Sequence, residues 1–315
     1  MTSELSPGRK LRNLIASGET ILLPGVDSPL DARLIHRLGF KACLCAGWLT
    51  GAHLGVPEPV LTMTEQIAVA QKVAQAVDIP VVSDGHTGGG DVPQVMRTVR
   101  AFEQAGIAMI HIEDQVFPKR ASYHRGLEHV TELDEFRLKM EFALKARKDP
   151  GFMIFARTDA GNAVNTKSWK EAARRARALK ELGVDGILPM CRTKENMEKF
   201  RQEYPDNDIP LLATTYFNGM ASEEIRKYGF QLIAYPLAAT IACAAAVIDL
   251  YRGILKEGGI ARFDLEKAKA VREEVENAIG LPELWEIENQ TVEAEHRNWQ
   301  GRQVAGYEGY DQERK

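Results

Sequence analysis

Two short phrases hold the residues best suited to chemistry: Val81-Val82-Ser83-Asp84-Gly85-His86-Thr87-Gly88-Gly89-Gly90 and Ala108-Met109-Ile110-His111-Ile112-Glu113-Asp114. Each is an apolar run that turns polar at its end. Residues two apart on a strand point to one face, so Asp84 pairs with His86, and His111 with Glu113. Two such ends side by side would gather carboxylates and imidazoles around one ion or one substrate. Gly88-Gly89-Gly90 is not followed by the Lys-Ser/Thr of a phosphate-binding loop, and reads as a tight turn from strand to helix.

The rest of the chain supplies elements that would position such ends. Short apolar runs alternate with amphipathic stretches from about residue 20 to 256, the pattern of repeated β-α units on a parallel sheet. The expected strands are Ile21–Pro24, Ala42–Ala46, Pro80–Asp84, Met109–Glu113, Phe152–Arg157, Gly186–Met190, Pro210–Thr215 and Leu232–Tyr235. Helices are expected at Thr64–Ala76, Pro93–Ala105, Leu133–Lys148, Ser168–Leu182 and Lys194–Tyr204, with apolar residues at three-to-four spacing. Helix-closing glycines precede strands at Gly39, Gly106, Gly183 and Gly229. Eight strands in this order favour a (β/α)8 TIM barrel over an open doubly wound sheet. Barrel chemistry gathers at the carboxyl ends of the strands, where Gly47, Asp84, Glu113, Arg157, Met190 and Thr215 fall. A long alanine-rich helix, Leu237–Ile254, reads as the last barrel helix or as a helix packing on another subunit. The expected organisation is a catalytic barrel over 1–256 and a C-terminal helical extension and tail over 257–315, with helices at Leu265–Ile279 and Pro282–Trp299.

Composition narrows the function classes. In 315 residues with a net charge of −4, no long single-sign run offers a basic surface for nucleic acid or a polybasic membrane patch. No stretch of about eighteen uninterrupted apolar residues appears, and Met1–Lys10 has no apolar signal core. The expectation is a soluble cytoplasmic protein whose partner is a small molecule. The four cysteines have no metal-finger spacing; Cys43 and Cys45 read as inert residues of a buried strand. His36, His53, His129 and His296 read as structural. Trp48 either walls off a ligand or packs the barrel mouth.

With the strand ends laid out, the chain resembles the isocitrate lyase and phosphoenolpyruvate mutase superfamily over roughly residues 10 to 256. The resemblance rests on Leu38-Gly39-Phe40-Lys41-Ala42 leading to Ala46-Gly47, and on Leu54-Gly55-Val56-Pro57-Glu58 followed by Thr62-Met63-Thr64-Glu65. It continues through Asp84-Gly85-His86-Thr87-Gly88-Gly89-Gly90, His111-Ile112-Glu113-Asp114-Gln115, Pro118-Lys119-Arg120 and Ala156-Arg157-Thr158-Asp159-Ala160. It implies a barrel that binds Mg²⁺ and a 2-oxo acid or enolate, in a homotetramer that exchanges its eighth helix between subunits. Asp84 is then the direct metal ligand, with Glu58 and Glu113 on metal-bound waters. Arg157 clamps a carboxylate, and the backbone of Cys45, Ala46 and Gly47 cradles the ligand's acid group beside Trp48.

Departures from the family pattern are equally informative. His86 stands where an aspartate is usual, so the ion is Mg²⁺ with His86 on a bound water, or Mn²⁺ or another softer divalent ion with His86 as ligand. The loop Lys119-Arg120-Ala121-Ser122-Tyr123-His124-Arg125-Gly126 lacks the lyases' cysteine acid and the mutases' asparagine. Lys119 and Arg120 are expected at the substrate, with Tyr123 or His124 as replacement acid and His111 as a further catalytic residue. Met190 and Thr214 replace a glutamate and an asparagine, which favours a compact substrate. The function expected is a metal-dependent C–C lyase or decarboxylase acting on a small 2-oxo or 2-hydroxy dicarboxylate through an enolate. The alternatives are phosphoenolpyruvate mutase or phosphonopyruvate hydrolase chemistry, and a non-catalytic ligand-binding homologue.

Overall fold

Eight short strands, each followed by a helix, account for the chain to residue 257. The computed structural model describes residues 5–121, 123–215, 219–259 and 264–292. In chain order the elements are α1 (Pro7–Ala16), β1 (Ile21–Pro24), α2 (Pro29–Arg37), β2 (Cys43–Cys45), α3 (Gly47–Leu54), a 3-10 turn at Glu58–Val60, α4 (Met63–Ala74), β3 (Val81–Asp84), α5 (Val92–Gln104), β4 (Met109–Glu113), α6 (Leu133–Ala146), β5 (Met153–Thr158), α7 (Trp169–Leu182), β6 (Gly186–Pro189), α8 (Lys194–Glu203), β7 (Leu212–Thr214), α9 (Ser222–Lys227), β8 (Leu232–Tyr235), α10 (Ala238–Glu257), α11 (Leu265–Ala278) and α12 (Leu281–Thr291).

All strand pairs are parallel, in the orders β2-β3-β4-β5-β6 and β1-β8-β7. Single parallel bridges, Gly25 to Leu44 and Ile187 to Leu211, join the two groups into a ring. The strands therefore close in sequence order, as a (β/α)8 barrel requires.

Strand periodicity builds two layers. On β4, Ile110 and Ile112 turn outward to the helices, while Met109 joins the barrel interior. On β5, Ile154 and Ala156 turn outward, and Met153 and Phe155 inward. Local chemistry starts the helices: Thr62 and Glu65 form a capping box on α4, and Ser168 and Thr193 cap α7 and α8. Gly39, Gly106, Gly183 and Gly229 all have left-handed backbones at helix ends, as their placement before strands predicts.

Sequence periodicity alone did not reveal α1 or α3. α1 is short and strongly charged, yet Ser6 caps it, Pro7 sits in its first turn, and Leu11 is fully buried in the interior cluster. α3 is masked by its glycines. The helix after β8, expected as the last barrel helix or as one packing on another subunit, buries none of its residues on this chain, and Leu255 is 87% exposed. By length and composition α10 is also apolar enough to cross a membrane.

The chain divides into two compact units, 1–262 and 263–315. In the second, α11 and α12 pack on each other, and Asp264 caps α11. The part of the expected Pro282–Trp299 helix beyond residue 292, and His296, lie outside the described residues, as does Ser122 in the loop after β4.

Candidate active site

Four neighbouring strand ends build the polar corner. β3 ends in Asp84, β4 carries His111 and Glu113, and β5 carries Arg157, all facing the mouth of the barrel. The chain after β2 enters α3 at Gly47, and the 3-10 turn contributes Glu58. Gly47 permits this convergence: a Cβ there would lie 2.4 Å from Cε1 of His86, 2.6 Å from Oε1 of Glu58 and 3.0 Å from Oδ2 of Asp84.

The charges interlock. Nζ of Lys119, carried by the loop after β4, lies 2.9 Å from Oε1 of Glu58, 3.1 Å from Oδ2 of Asp84 and 3.3 Å from Oε1 of Glu113. Arg157 places Nη1 2.8 Å from Oε2 of Glu113 and forks onto Asp159 through Nε and Nη2, at 2.8 and 3.1 Å. Behind this pair, Asp114 accepts from the Thr158 hydroxyl, the Asp159 amide and Arg175, which fixes the end of β5. The histidines take no such share. His111 Nδ1 stands 3.6 Å from Oδ1 of Asp84, and neither it nor Nε2 of His86 has a hydrogen-bond partner.

Burial and charge set the protonation states. Burial alone would raise the Asp84 carboxyl, but Lys119 and the neighbouring histidines hold it well below the carboxylate range; Glu58 is likewise lowered against its burial by Lys119. For Glu113 burial wins over Arg157 and Lys119, and its carboxyl is pushed up to about 7. Burial pulls His111 down to about 4 and lowers His86, so both imidazoles are neutral at pH 7. The same carboxylates raise Lys119 despite its burial.

These residues fit a divalent ion. Donor atoms of Glu58, Asp84 and His86 fall within 4.8 Å of one another, with hard oxygens and a neutral imidazole in one place. Glu58 and Asp84 border a cavity of about 280 Å³, lined among others by Gly47, Trp48, Arg157, Met190 and Thr214. That volume suits a small acid. The amides that open α3 have no side-chain cap and begin at this wall, which makes them donors for an anion.

The expected residues separate into two groups. Glu58, Asp84, His111, Lys119, Arg120, Tyr123, Arg157, Ala46, Gly47, Trp48 and Thr214 border the cavity; His86 and Glu113 stand directly behind it on the same charges. Cys45 is placed elsewhere: it is fully buried in β2, where its carbonyl accepts from Gln66 and Ser83. His124 also stays out of the lining, its Nδ1 accepting the Ala121 amide at 2.9 Å, whereas the Tyr123 hydroxyl donates to Glu58. Sequence reasoning overlooked Gln115 and Arg192. Gln115 lines the cavity with a buried, unpartnered amide nitrogen, and Arg192 lines the far wall while paired to Glu128. Both follow strand ends by two or three positions, a signal that was available.

Comparison with known proteins agrees with this geometry. The family described as phosphoenolpyruvate phosphomutase matches residues 11–255. The 2,3-dimethylmalate lyase of Eubacterium barkeri is 32% identical over 292 residues, covering 90% of this chain and 98% of the relative. Among solved structures, a phosphoenolpyruvate phosphomutase from Streptomyces platensis subsp. rosaceus superposes with a TM-score of 0.82 at 32% identity, covering 91% of this chain and 99% of the other. A phosphonopyruvate hydrolase in complex with oxalate and Mg²⁺ superposes with a TM-score of 0.79 at 26% identity, covering 92% and 100%. The chain belongs to the phosphoenolpyruvate mutase and isocitrate lyase superfamily.

Proposed function

We propose that the protein is a carbon–carbon lyase or decarboxylase that acts, with a divalent ion, on a small 2-oxo or 2-hydroxy dicarboxylate through an enolate. The observation that carries this reading is the clustering of buried Asp84 and Glu58 with half-buried His86 beside an acid-sized cavity, with Arg157 and the first amides of α3 as anion donors. Mg²⁺ or Mn²⁺, held by Asp84 with Glu58, His86 and Glu113 around it, would supply Lewis-acid stabilisation of negative oxygen. The chain's own groups do the rest. Arg157 and the Gly47 and Trp48 amides hold the substrate's carboxylates, and Lys119 and Arg120 add positive charge from the loop. When the C–C bond breaks, its electron pair moves to the carbon next to a carboxylate or carbonyl, forming the enolate, and that carbon then takes a proton; for a 2-hydroxy substrate the hydroxyl of the other fragment becomes its carbonyl and gives its proton to a carboxylate of the cluster. Ala121 has no proton to give and His124 Nδ1 is engaged by its own loop, so in this reading Tyr123, whose hydroxyl meets Glu58 at the cavity, is the acid.

One observation favours a second reading, phosphorus–carbon chemistry. Arg120, Arg157 and Arg192 line one cavity, a cationic set that also suits a phosphonate. We further infer a soluble, cytoplasmic homotetramer whose catalytic barrel spans 1–256, with 257–315 as an extension. Exchange of α10 between subunits would cover its exposed Ile241, Val247, Ile248 and Tyr251. Asp249, Arg252 and Lys256 in the same helix favour a protein neighbour over lipid.

The test is turnover of a panel of small 2-oxo and 2-hydroxy dicarboxylates, with phosphonopyruvate alongside, in Mg²⁺ or Mn²⁺. Release of pyruvate or carbon dioxide, with Tyr123→Phe lowering kcat on the order of 10²-fold, is the expected result. Turnover of phosphonopyruvate alone selects the second reading. Silence across the panel while oxalate still binds leaves only a ligand-binding role.

A further inference from the structure

We propose that the imidazole of His86 is a direct ligand of the ion, so that the site prefers a transition ion such as Mn²⁺ or Co²⁺ to Mg²⁺. The inference rests on the reading of this corner as a divalent-ion site, and says which ion the corner selects.

Donor geometry comes first. Nδ1 of His86 lies 3.9 Å from Oε1 of Glu58 and 4.0 Å from Oδ2 of Asp84, too far for hydrogen bonds. Ligand atoms about 2.1 Å from a shared ion stand roughly 3 to 4 Å from one another. The imidazole is thus spaced from each carboxylate as a co-ligand would be.

Competition among the donors comes second. Lys119 meets Oε1 of Glu58, Oδ2 of Asp84 and Oε1 of Glu113; Tyr123 meets Oε2 of Glu58; and Arg157 meets Oε2 of Glu113. Oδ1 of Asp84 accepts the His86 amide at 2.7 Å. The carboxylate oxygens of Glu58 and Asp84 have protein partners, and those of Glu113 meet the charges of Lys119 and Arg157 without a hydrogen bond, while the imidazole takes no hydrogen bond through Nδ1 and its buried Nε2 has no partner. The His86 ring is thus a donor that neither Lys119 nor Arg157 engages.

The backbone is the third observation. His86 has φ of +49°, a left-handed conformation uncommon outside glycine, and it is locked there from both sides. Its amide donates to Asp84, and its carbonyl accepts the Glu113 amide at 2.8 Å. This conformation sets Cε1 2.4 Å from the point where a Cβ on Gly47 would lie. The absence of a side chain at position 47 gives the ring its place beside Asp84 and Glu58. Neutral imidazole suits Mn²⁺, Co²⁺ and Zn²⁺, while Mg²⁺ favours oxygen ligands and retains its waters.

The experiment titrates the full-length protein with Mn²⁺ and Mg²⁺ by calorimetry and records pulsed EPR of the Mn²⁺ complex. His86→Asp and His86→Asn are compared because both residues tolerate a left-handed backbone. The wild type is expected to show nitrogen coupling to manganese. In both variants Mn²⁺ affinity should fall roughly tenfold to a hundredfold, Mg²⁺ affinity should move much less, and the coupling should vanish. Coupling absent from the wild type, coupling retained in both variants, or an unchanged ratio of the two affinities would overturn the assignment of His86 while leaving an ion at Asp84. No binding of either ion to the wild type would instead remove the divalent-ion reading, and this inference with it.

Discussion

The floor and the mouth of the barrel are built from the same strands and obey opposite rules. On β4 the inward positions run Met109, His111, Glu113, and on β5 they run Met153, Phe155, Arg157. Four residues along a strand, about 13 Å, separate a methionine in a dry cluster from a charge in an ionic one. The floor closes by packing. Leu11 of α1 seals it together with Ile21, Leu23, Leu44, Leu188, Leu212 and Leu232, all buried. The mouth closes by compensation: three buried carboxylates share one lysine, and Arg157 is held between Glu113 and Asp159. A dry cluster contributes stability in proportion to area buried, whereas buried charges at best offset their own desolvation. The floor therefore carries the fold, and the mouth carries the chemistry at the fold's expense.

Substitution at Asp84 should separate these roles most sharply. Asp84→Ala removes the carboxylate on which Lys119, His86 and His111 converge, and turnover should drop by at least about 10³-fold. Chemical denaturation should show a far smaller change, because Lys119 keeps Glu58 and Glu113. A large loss of stability with measurable residual turnover would contradict the division of labour. At the floor, Phe155→Ala should do the reverse. The ring is fully buried against Gly186, where a Cβ would come within 2.2 Å of it, so truncation leaves a cavity and costs about 3–5 kcal/mol. The protein that remains folded should bind Mn²⁺ unchanged.

The same contrast explains what could be read from sequence. The floor and strand order were legible because apolar runs of the right length alternate with helical periods, and β1, β4 and β8 match the expected boundaries to the residue. At the mouth, period two paired Asp84 with His86 and His111 with Glu113, and the strand-end register put Arg157 beside them. Side chains brought in by irregular backbone were harder. Arg192 and Gln115 sit beyond the strand ends with no periodicity to aim them. The choice between Tyr123 and His124 depended on one hydrogen bond inside the loop, from the Ala121 amide to His124. The exposure of α10 was equally hidden, since an apolar helix has the same sequence whether it covers its own barrel or a neighbour's.

Gly47 lies where packing and charge meet, and its substitution should have an intermediate effect. Gly47→Ala pushes a methyl into the His86 ring and the Glu58 carboxylate, neither of which has room to retreat without parting from Asp84 or Lys119. Overpacking of this kind costs about 1–3 kcal/mol. The functional loss should appear chiefly as weaker ion binding, measured by Mn²⁺ titration. An unperturbed titration would mean that the ring and the ion do not share that space.

The smallest effect is expected at the polar rim of the floor, where Asp149 precedes β5. Burial by itself would raise this carboxyl, but the Ser6 hydroxyl and the Gly151 amide, the latter 2.7 Å away, lower it below its ordinary value, helped by Arg9 and Arg12. A carboxyl lowered in the folded chain contributes stability that is fully present above its unfolded value of about 3.9 and is lost as pH falls through the lower folded value. Asp149→Asn should thus leave the fold slightly weaker at neutral pH, and the gap from wild type should close as the solution is acidified below about pH 4. The residue is only half-buried, so salt should shrink the part of the gap due to the arginines and spare the part due to the hydrogen bonds. Urea titrations of both proteins across acid pH measure this; a gap that widens toward acid would show that the carboxylate is not stabilised by α1 and the β5 approach.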